Sequence, residues 1–500
     1  MNHNSAIWRK LPLATSLLAV VAGIWAKLSL TTGDLLPGLD GAYYWVQVRS
    51  VINNSALAFS DLPLVFWVQA AMAKVFGDVE LAVRLSDALL PALSAIPLYL
   101  IAKRFSNPFL PAIAILAVLL NPVQLYFFTG DFIKNEATIP AVFFISWVLI
   151  TWDRRSKKVS IAFLALASVV SALSHFGTLL TALLLVGVWV LAQLRKSKGE
   201  FWLKAFAAAI AISAGTLALL YLLVPTRYER LISFVTTPSA IFENPALDGI
   251  LHNYSGSVMA VTIVIGQLAS IILGIIVWLS RSKFTFSDLS LVIASLVTTF
   301  ILSSPFIGME WSDRLAAQSF VPLSIAAILI FGTLDLNWQK IPVVALAALT
   351  LFSTIALSNT EMKYVLTSEK YADFREMAAQ VKIPDNSVIV ARHGVEYLSA
   401  WEFNSDVALE SYYESADLTS YSAVYYIQEI QMAKADIPST SSSKSDPKGP
   451  PPSDGKTPPN GMAPPNSNGK SDVTEDLAKS DPITGETVYQ NASFTLVKVR

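Results

Sequence analysis

The sequence contains no cysteine and few charged side chains. Of its 500 residues, 15% are Asp, Glu, Lys or Arg, whereas about 25% is usual in soluble domains. The absence of cysteine excludes disulfides, thiolate-bound zinc, iron–sulfur clusters and thiol catalysis. The net charge of −1 and the lack of a basic stripe make a nucleic-acid partner unexpected.

Hydrophobic residues, in contrast, make up 53% of the chain. They form runs near the length of about 20 residues that a membrane-spanning helix needs. No clear small-x-small cleavage site follows the first run, which therefore predicts a retained helix and not a signal peptide. The apolar segment 62–77 is short and contains Lys74, which predicts an interfacial or re-entrant helix, with a twelfth span as the alternative. The pattern predicts about eleven spans: 11–31, 85–102, 108–128, 137–152, 159–175, 178–194, 203–224, 257–279, 288–306, 316–333 and 341–358.

Basic residues are clustered in every second loop between the predicted spans. Loops of this kind remain on the cytoplasmic side of a membrane. With eleven spans, this pattern predicts a cytoplasmic N-terminus and a C-terminal domain on the outer side. We therefore expect a multi-pass protein of the cell (plasma or inner) membrane.

The polar tail, 359–500, predicts a small extracytoplasmic α/β domain. TSEKYADFREMAAQV is typical of an amphipathic helix, SVIVA and SAVYYI of short strands, and ETVYQNASFTLVKVR of a strand pair. The segment at roughly 436–484 is rich in Ser, Pro and Gly and cannot bury enough apolar surface to offset its ordering entropy, so it predicts disorder. The expected fold is thus a mainly α, polytopic membrane helix bundle, 1–358, followed by this interrupted domain.

Polar residues that suggest chemistry begin in the first predicted outer loop, GLDGAYYWVQVRS. Asp40 lies between leucine and glycine just before an aromatic helix. Its carboxylate has the chemistry to bind a divalent cation or to take a proton from an acceptor hydroxyl. Tyr43 and Tyr44 follow one helical turn later as candidate substrate contacts. The alternative is that Asp40 caps the helix and the tyrosines belong to an interfacial aromatic belt.

The second predicted outer loop, YFFTGDFIKNEATIP, is short and unusually polar. Asp131 and Glu136 are candidates for a catalytic base and for a metal ligand, and Lys134 for neutralising a phosphate. The alternative is that these residues, with Asn135, are loop charges that cap the next helix.

Three further residues lie in later predicted outer loops. His175 stands at a tight turn, where a lone histidine is more often structural than functional. Arg227 lies in the long loop 225–256, which is a candidate lid or acceptor-binding element or an ordinary surface loop. Arg314 begins a predicted span, and its planar guanidinium suits a lipid phosphate, although a surface ion pair is the alternative.

These motifs together resemble the GT-C superfamily of multi-span glycosyltransferases, which includes protein O-mannosyltransferases, aminoarabinose transferases and oligosaccharyltransferases. The resemblance rests on LDGAYYWVQVRS, then the proline-led DLPLVFWVQAAMAKVFG, then ELAVRLSDALLPALSAIPLYLIAKRF, and a second acidic motif, TGDFIKNEA. It covers about residues 10–358. Asn135–Glu136 is similar to part of the Asp-Asn-Glu motif of oligosaccharyltransferases, but Lys134 replaces its aspartate. No WWDYG-like motif occurs in the tail, which argues against peptide N-glycosylation.

The resemblance implies an inverting glycosyltransferase with a polyprenyl-phosphate sugar donor and a lipid, glycan or protein acceptor at the outer face of the bilayer. By position, Asp40 would be the first-loop catalytic carboxylate and Asp131 or Glu136 the second-loop acid. Asp40 and Glu136 would be the ligands of a divalent cation, Mg or Mn, if one is required. Lys134 and Arg314 would bind the donor phosphate.

Three other function classes remain as alternatives. A ligase or polymerase of lipid-linked glycans would also work on the outer face, but with a different fold. A transporter or lipid-linked-glycan flippase would have ionisable residues or broken helices within its spans. A non-catalytic assembly or sensor protein would lack an outer-face cavity over the acidic residues.

Overall fold

The computed structural model describes residues 4–31, 33–129, 132–193, 258–334, 364–410, 418–430 and 485–500, with parts of 214–247. The predicted span 341–358 and the predicted disordered segment 436–484 lie outside the described residues, as does half of the predicted span 203–224. The chain divides into two compact units. The first contains Met1–Leu57 and Asp61–Tyr364, and the second contains Ala58–Ser60 and Val365–Arg500.

The described part of the first unit is helical. Its helices are α1 Asn4–Leu30, α2 Gly41–Asn54, α3 Leu64–Phe76, α4 Val79–Ala92, α5 Ala95–Ala102, α6 Leu110–Leu119, α7 Pro122–Thr129, α8 Ile133–Ile150, α9 Lys157–Ser174, α10 Phe176–Gln193, α11 Val258–Leu279, α12 Phe286–Leu302, α13 Met309–Gln318 and α14 Phe320–Thr333. Short 3-10 turns occur at Trp152–Arg154, Pro238–Phe242 and Arg281–Lys283.

Seven helical segments in the described residues are long and apolar enough to cross a membrane, and three shorter apolar helices accompany them. The predicted polytopic helical bundle is therefore confirmed, while the count of eleven spans stays a prediction. The segment predicted as an interfacial helix, 62–77, forms the 13-residue helix α3. The predicted span 108–128 is interrupted between α6 and α7, where Pro122 begins the second helix, because proline cannot donate the next helical hydrogen bond.

Burial distinguishes a central helix from the lipid-facing ones. In α8, 72% of the apolar window is buried, against 22% for Lys10–Leu30 in α1 and 28% for Ala260–Leu279 in α11. Large apolar side chains such as Trp25 and Trp278 remain exposed on α1 and α11. Such exposed apolar faces suit contact with lipid, whereas α8 and the segment Arg314–Thr333, which is buried to the same extent, lie inside the bundle.

The start of α8 corrects one prediction. The sequence predicted a polar loop at Lys134, Asn135 and Glu136 and a span from residue 137, but all three residues lie in the first turn of α8. The backbone N–H groups of Asn135 and Glu136 both bond to the Phe132 carbonyl. The helix can begin this early because its charged side chains have partners inside the bundle.

Local sequence signals explain where neighbouring helices begin. Asp78 accepts a hydrogen bond from the Leu81 N–H at 2.9 Å and so caps α4, which moves the start of this span to residue 79 from the predicted 85. Thr285 caps α12, and its hydroxyl also bonds to the Asp288 carboxylate at 2.7 Å. Side-chain oxygens at these positions satisfy amide groups that have no partner within the helix.

The second unit contains a five-stranded mixed sheet with the order β2-β1-β3-β5-β4. The pair β4 and β5 at one edge of the sheet is antiparallel, as the predicted strand pair at the chain end requires. At the other edge, β1 runs parallel to both β2 and β3. Its core includes Val388, Val390 and Val424. The elements are α15 Ser368–Gln380, β1 Ser387–Ala391, α16 Val395–Phe403, β2 Asp406–Leu409, β3 Ala423–Glu429, β4 Glu486–Gln490 and β5 Phe494–Lys498.

Candidate active site

Lys134 lies beside a buried carboxylate at one end of the helix bundle. Its ammonium group donates to the Oδ2 atom of Asp61. The lysine side chain is 21% exposed and the aspartate side chain only 3%. The pair therefore presents the ammonium, and not the carboxylate, to the surroundings.

Two further donors hold Asp61 in place. The Tyr43 hydroxyl donates to Oδ2 at 2.5 Å, and the Leu62 backbone N–H donates to Oδ1 at 2.7 Å. Gln47, one turn after Tyr43 on α2, donates in turn to the tyrosine hydroxyl at 2.9 Å. A buried carboxylate with several charged or polar donors keeps its negative charge, so Asp61 is a fixed anion beside Lys134.

Two aromatic rings lie near the ammonium group. Lys134 Nζ lies 5.8 Å from the centroid of the Tyr43 ring and 5.6 Å from that of Phe66. Tyr44 packs against both rings, edge-on to Tyr43 at 5.6 Å. The side chains of both predicted tyrosines are buried, and Tyr44 is linked to Lys134 through the rings of Tyr43 and Phe66.

Asp40 precedes this cluster at the N-cap position of α2. Its side chain makes no capping hydrogen bond, so the capping alternative does not explain this residue. The carboxylate is half-exposed. Asp40 thus lies one turn before Tyr43, and its role as the first-loop catalytic carboxylate stays a prediction.

Glu136 faces away from this cluster and into the bundle. Its Oε2 atom forms an ion pair with Lys27, which lies in the last turn of α1. Exposure of the two side chains is 0% and 1%. Asp87 of α4 is also buried and interacts electrostatically with both partners. Among the described residues, neither Oε1 of Glu136 nor Oδ1 of Asp87 has a hydrogen-bond partner.

Comparisons with known proteins agree with this architecture. Residues 60–228 match the sequence profile of the family described as dolichyl-phosphate-mannose-protein mannosyltransferase. The solved structure of ArnT from Cupriavidus metallidurans bound to undecaprenyl phosphate matches with a TM-score of 0.58 and 13% identity, covering 99% of this chain and 98% of that chain. The chain has the GT-C glycosyltransferase fold. The predicted resemblance to the GT-C superfamily is thereby confirmed.

A second structure with the GT-C fold is the archaeal oligosaccharyltransferase AglB from Archaeoglobus fulgidus, in complex with an inhibitory peptide and a dolichol-phosphate. It matches with a TM-score of 0.53 and 11% identity, covering 82% of this chain and 69% of that chain. No curated protein sequence matches the chain. At such identities the shared fold carries no residue roles with it.

His175 has a structural role in this GT-C fold. It lies between α9 and α10, and its Nδ1 atom is 3.3 Å from the Thr178 N–H and 3.2 Å from the Thr178 hydroxyl. The ring thus accepts from an amide in the first turn of α10, as N-cap side chains do. This contact accounts for His175 without a substrate, which leaves its predicted substrate-binding role as a prediction.

The remaining predicted site residues are only partly visible in the structure. Arg314 is half-buried in α13, at the start of the apolar segment Arg314–Thr333. Asp131 and Arg227 lie outside the described residues. Their predicted roles as second-loop acid and substrate contact stay predictions.

The described residues do not supply a site for the predicted divalent cation. No group of three or more His, Asp or Glu side chains with the spacing to hold a metal occurs among them. Glu136, one of the two suggested ligands, is paired with Lys27 inside the bundle. The geometry therefore does not bring Asp40 and Glu136 together around one ion.

The sequence prediction missed three ionisable residues of these clusters, which are Lys27, Asp61 and Asp87. Lys27 and Asp87 lay inside segments predicted as spans, and an ionisable side chain within a span is a sign of function in its own right. Asp61 stood in the quoted motif DLPLVFWVQAAMAKVFG, but was treated as part of a helix start. The sequence signal that could have indicated Asp61 as a site residue was its position directly before Leu62 and Pro63.

Proposed function

We propose that this protein transfers a sugar from a polyprenyl-phosphate-type lipid donor to an acceptor on the outer face of the membrane. The observation that supports this most directly is the partly exposed Lys134 ammonium, which Asp61 and the aromatic rings hold at one end of a GT-C bundle. Two solved structures with this fold contain undecaprenyl phosphate or dolichol-phosphate. A cation at a membrane interface is the group that a lipid phosphate needs.

In the proposed reaction, the bond between the sugar anomeric carbon and the donor phosphate oxygen breaks, and its electron pair leaves with the phosphate. The acceptor oxygen forms a new bond to the same carbon, with inversion of configuration if the attack is a single displacement. Asp40 takes the acceptor proton as general base. Lys134, with Arg314 as a second cation, stabilises the negative charge that develops on the departing phosphate.

Other predicted residues complete the proposal. Tyr43 and Tyr44 line the site, and Asp131 and Arg227 are proposed to contact the acceptor or donor sugar. The basic clusters in alternate loops support an outer-face site with the N-terminus in the cytoplasm. A lipid, glycan or protein acceptor fits this orientation.

A second candidate function is supported by the buried charges. Lys27, Asp87 and Glu136 are ionisable residues inside the bundle, as the transporter or flippase alternative requires. The GT-C fold favours the transferase. Measurement of transfer and of lipid translocation on the same preparation separates the two.

The test is a transfer assay with the full-length protein in lipid bilayers. Several polyprenyl-phosphate sugars are offered with envelope acceptors to the wild type and to the variants Asp40→Asn, Asp131→Asn and Lys134→Met. Loss of a general base lowers the rate by about 10²–10⁴-fold, so Asp40→Asn is expected to lose nearly all transfer. The matched controls are Asp153→Asn and Lys158→Met, which change exposed residues in and after the 3-10 turn at the other end of α8.

The outcomes of this assay distinguish the proposed transferase from the flippase alternative. Transfer by the wild type and both controls, but not by Asp40→Asn and Lys134→Met, supports the proposed site. Equal transfer by all variants refutes the proposed roles. Lipid translocation without transfer supports the flippase alternative. Loss of transfer in EDTA, restored by Mg or Mn, would demonstrate the metal requirement that the resemblance implies.

A further inference from the structure

The negative charge of Asp61 affects how the candidate phosphate site at Lys134 distinguishes singly from doubly charged lipid phosphates. Lys134 carries one positive charge and Asp61 one negative charge in direct contact. Asp61 therefore offsets part of the positive charge that Lys134 presents to a lipid. A phosphate that approaches the exposed ammonium also meets the field of a carboxylate directly behind it.

The donor and the lipid product of the proposed reaction differ in phosphate charge. The donor is a phosphodiester, which has a single ionisable oxygen and one negative charge. When its bond to the sugar breaks, the electron pair remains on the phosphate and the product becomes a phosphomonoester. A phosphomonoester loses a second proton near a pKa of about 6 and carries close to two negative charges at neutral pH.

Asp61, as a fixed anion, makes binding of the second phosphate charge less favourable than it would be with the Lys134 ammonium alone. Attraction to Lys134 grows with phosphate charge, and repulsion from Asp61 grows with it as well. Since the two groups are in contact, Asp61 offsets much of the attraction that Lys134 alone would exert on the added charge. Without Asp61, the added charge would bind the product more tightly and slow its release, which limits turnover in many enzymes.

We propose that Asp61 is a specificity-determining residue that keeps the site from favouring the doubly charged phosphomonoester over the singly charged phosphodiester. This inference rests on the proposed function, because it requires the Lys134 site to bind a polyprenyl phosphate. Asp61 is suited to the role because it is buried and immobile: Tyr43 and Leu62 hold both of its oxygens. Its charge cannot turn away when the lipid binds.

The experiment compares two lipids that differ only in phosphate charge. Undecaprenyl phosphate and its monomethyl ester are bound to the full-length protein in nanodiscs at about pH 5 and about pH 8, on either side of the second phosphate ionisation. The proteins are the wild type, Asp61→Asn, Lys134→Met and the control Asp153→Asn. The ionisable groups seen around Lys134 are Asp61 and Tyr43, with Asp40 at the start of α2, and titration of any of them would affect both lipids.

The expected result is selective. Wild type and Asp153→Asn bind the monoester no more tightly at high pH than at low pH, relative to the diester. Asp61→Asn binds the monoester about tenfold more tightly at high pH, an effect of the size of one unit charge near a protein surface. The diester changes much less. Inhibition of transfer by added undecaprenyl phosphate increases in parallel.

Two results would overturn different parts of the reasoning. If Lys134→Met leaves the binding of both lipids unchanged, the phosphate site is elsewhere and the proposed function loses its site. If Lys134→Met weakens both lipids but Asp61→Asn changes them by the same factor, the phosphate site stands and the role of Asp61 is refuted. The wild type alone also decides: tighter relative binding of the doubly charged lipid contradicts the inference even if Asp61→Asn does not fold.

Discussion

Replacement of Lys27 by methionine is the sharpest test of the buried charge cluster. The substitution keeps the length of the side chain but leaves Glu136, which is 0% exposed, without its cation. Asp87, 2% exposed, contributes a second acidic group nearby. Removal of one partner from a buried ion pair costs about 3–5 kcal/mol of stability because the other charge stays desolvated. We expect the upper part of this range, since two acidic groups lose the same cation.

The matched variants are Glu136→Gln and the double variant Lys27→Met/Glu136→Gln. The free energy of unfolding is measured for each purified protein in mixed detergent micelles, and the four values form a double-mutant cycle. The double variant should recover part of the loss, because Glu136 is then neutral while Asp87 still lacks the cation, and the coupling energy should exceed about 2 kcal/mol. A loss below about 1 kcal/mol for Lys27→Met would refute the reasoning, as it would place the pair in a solvated environment.

Two further predictions concern His175 and the sheet of the second unit. His175→Ala should destabilise the protein by about 1 kcal/mol through loss of the cap on α10, whereas His175→Asn should retain its thermal stability; loss of donor binding in stable His175→Asn would instead support the predicted substrate role. Phe494→Ala should destabilise the second unit by about 3–5 kcal/mol, because Phe494 is fully buried and packs edge-on against Phe374 at 5.2 Å. Limited proteolysis of the intact protein measures this loss, with exposed Val488→Ala as the control that should resist cleavage like the wild type.

Much of the fold could be predicted because membrane helices depend mainly on length and hydrophobicity. The ends of the predicted span 159–175 lie within two residues of those of α9. The strand pair at the end of the chain was predicted by its alternating pattern and is present as β4 and β5. These signals are local, so they can be read along the sequence without knowledge of the tertiary contacts.

The candidate site was less predictable because its contacts are not local. Glu136 was expected at an outer surface because charged residues usually lie there, but its partner is 109 residues earlier in the chain. Lys134 and Asp61 are separated by 73 residues. The sequence indicated which residues had suitable chemistry, including Asp40 and Lys134. It could not indicate that Glu136 is the partner of the buried Lys27. Nor could it indicate that Asp61 is the counterion of Lys134, the candidate phosphate ligand.

The assignment of Ala58–Ser60 to the second unit bears on how the chain is made. Phe59 packs edge-on against Tyr397 at 5.6 Å, so a residue between the second and third helices contacts one translated about 340 residues later. The sheet beside Tyr397 is complete only when β5, Phe494–Lys498, pairs with β3. Chains fold from the N-terminus as they are synthesised. The segment around Phe59 therefore reaches its final packing only after Phe494–Lys498 has been synthesised, long after the helices on either side of this segment have left the ribosome.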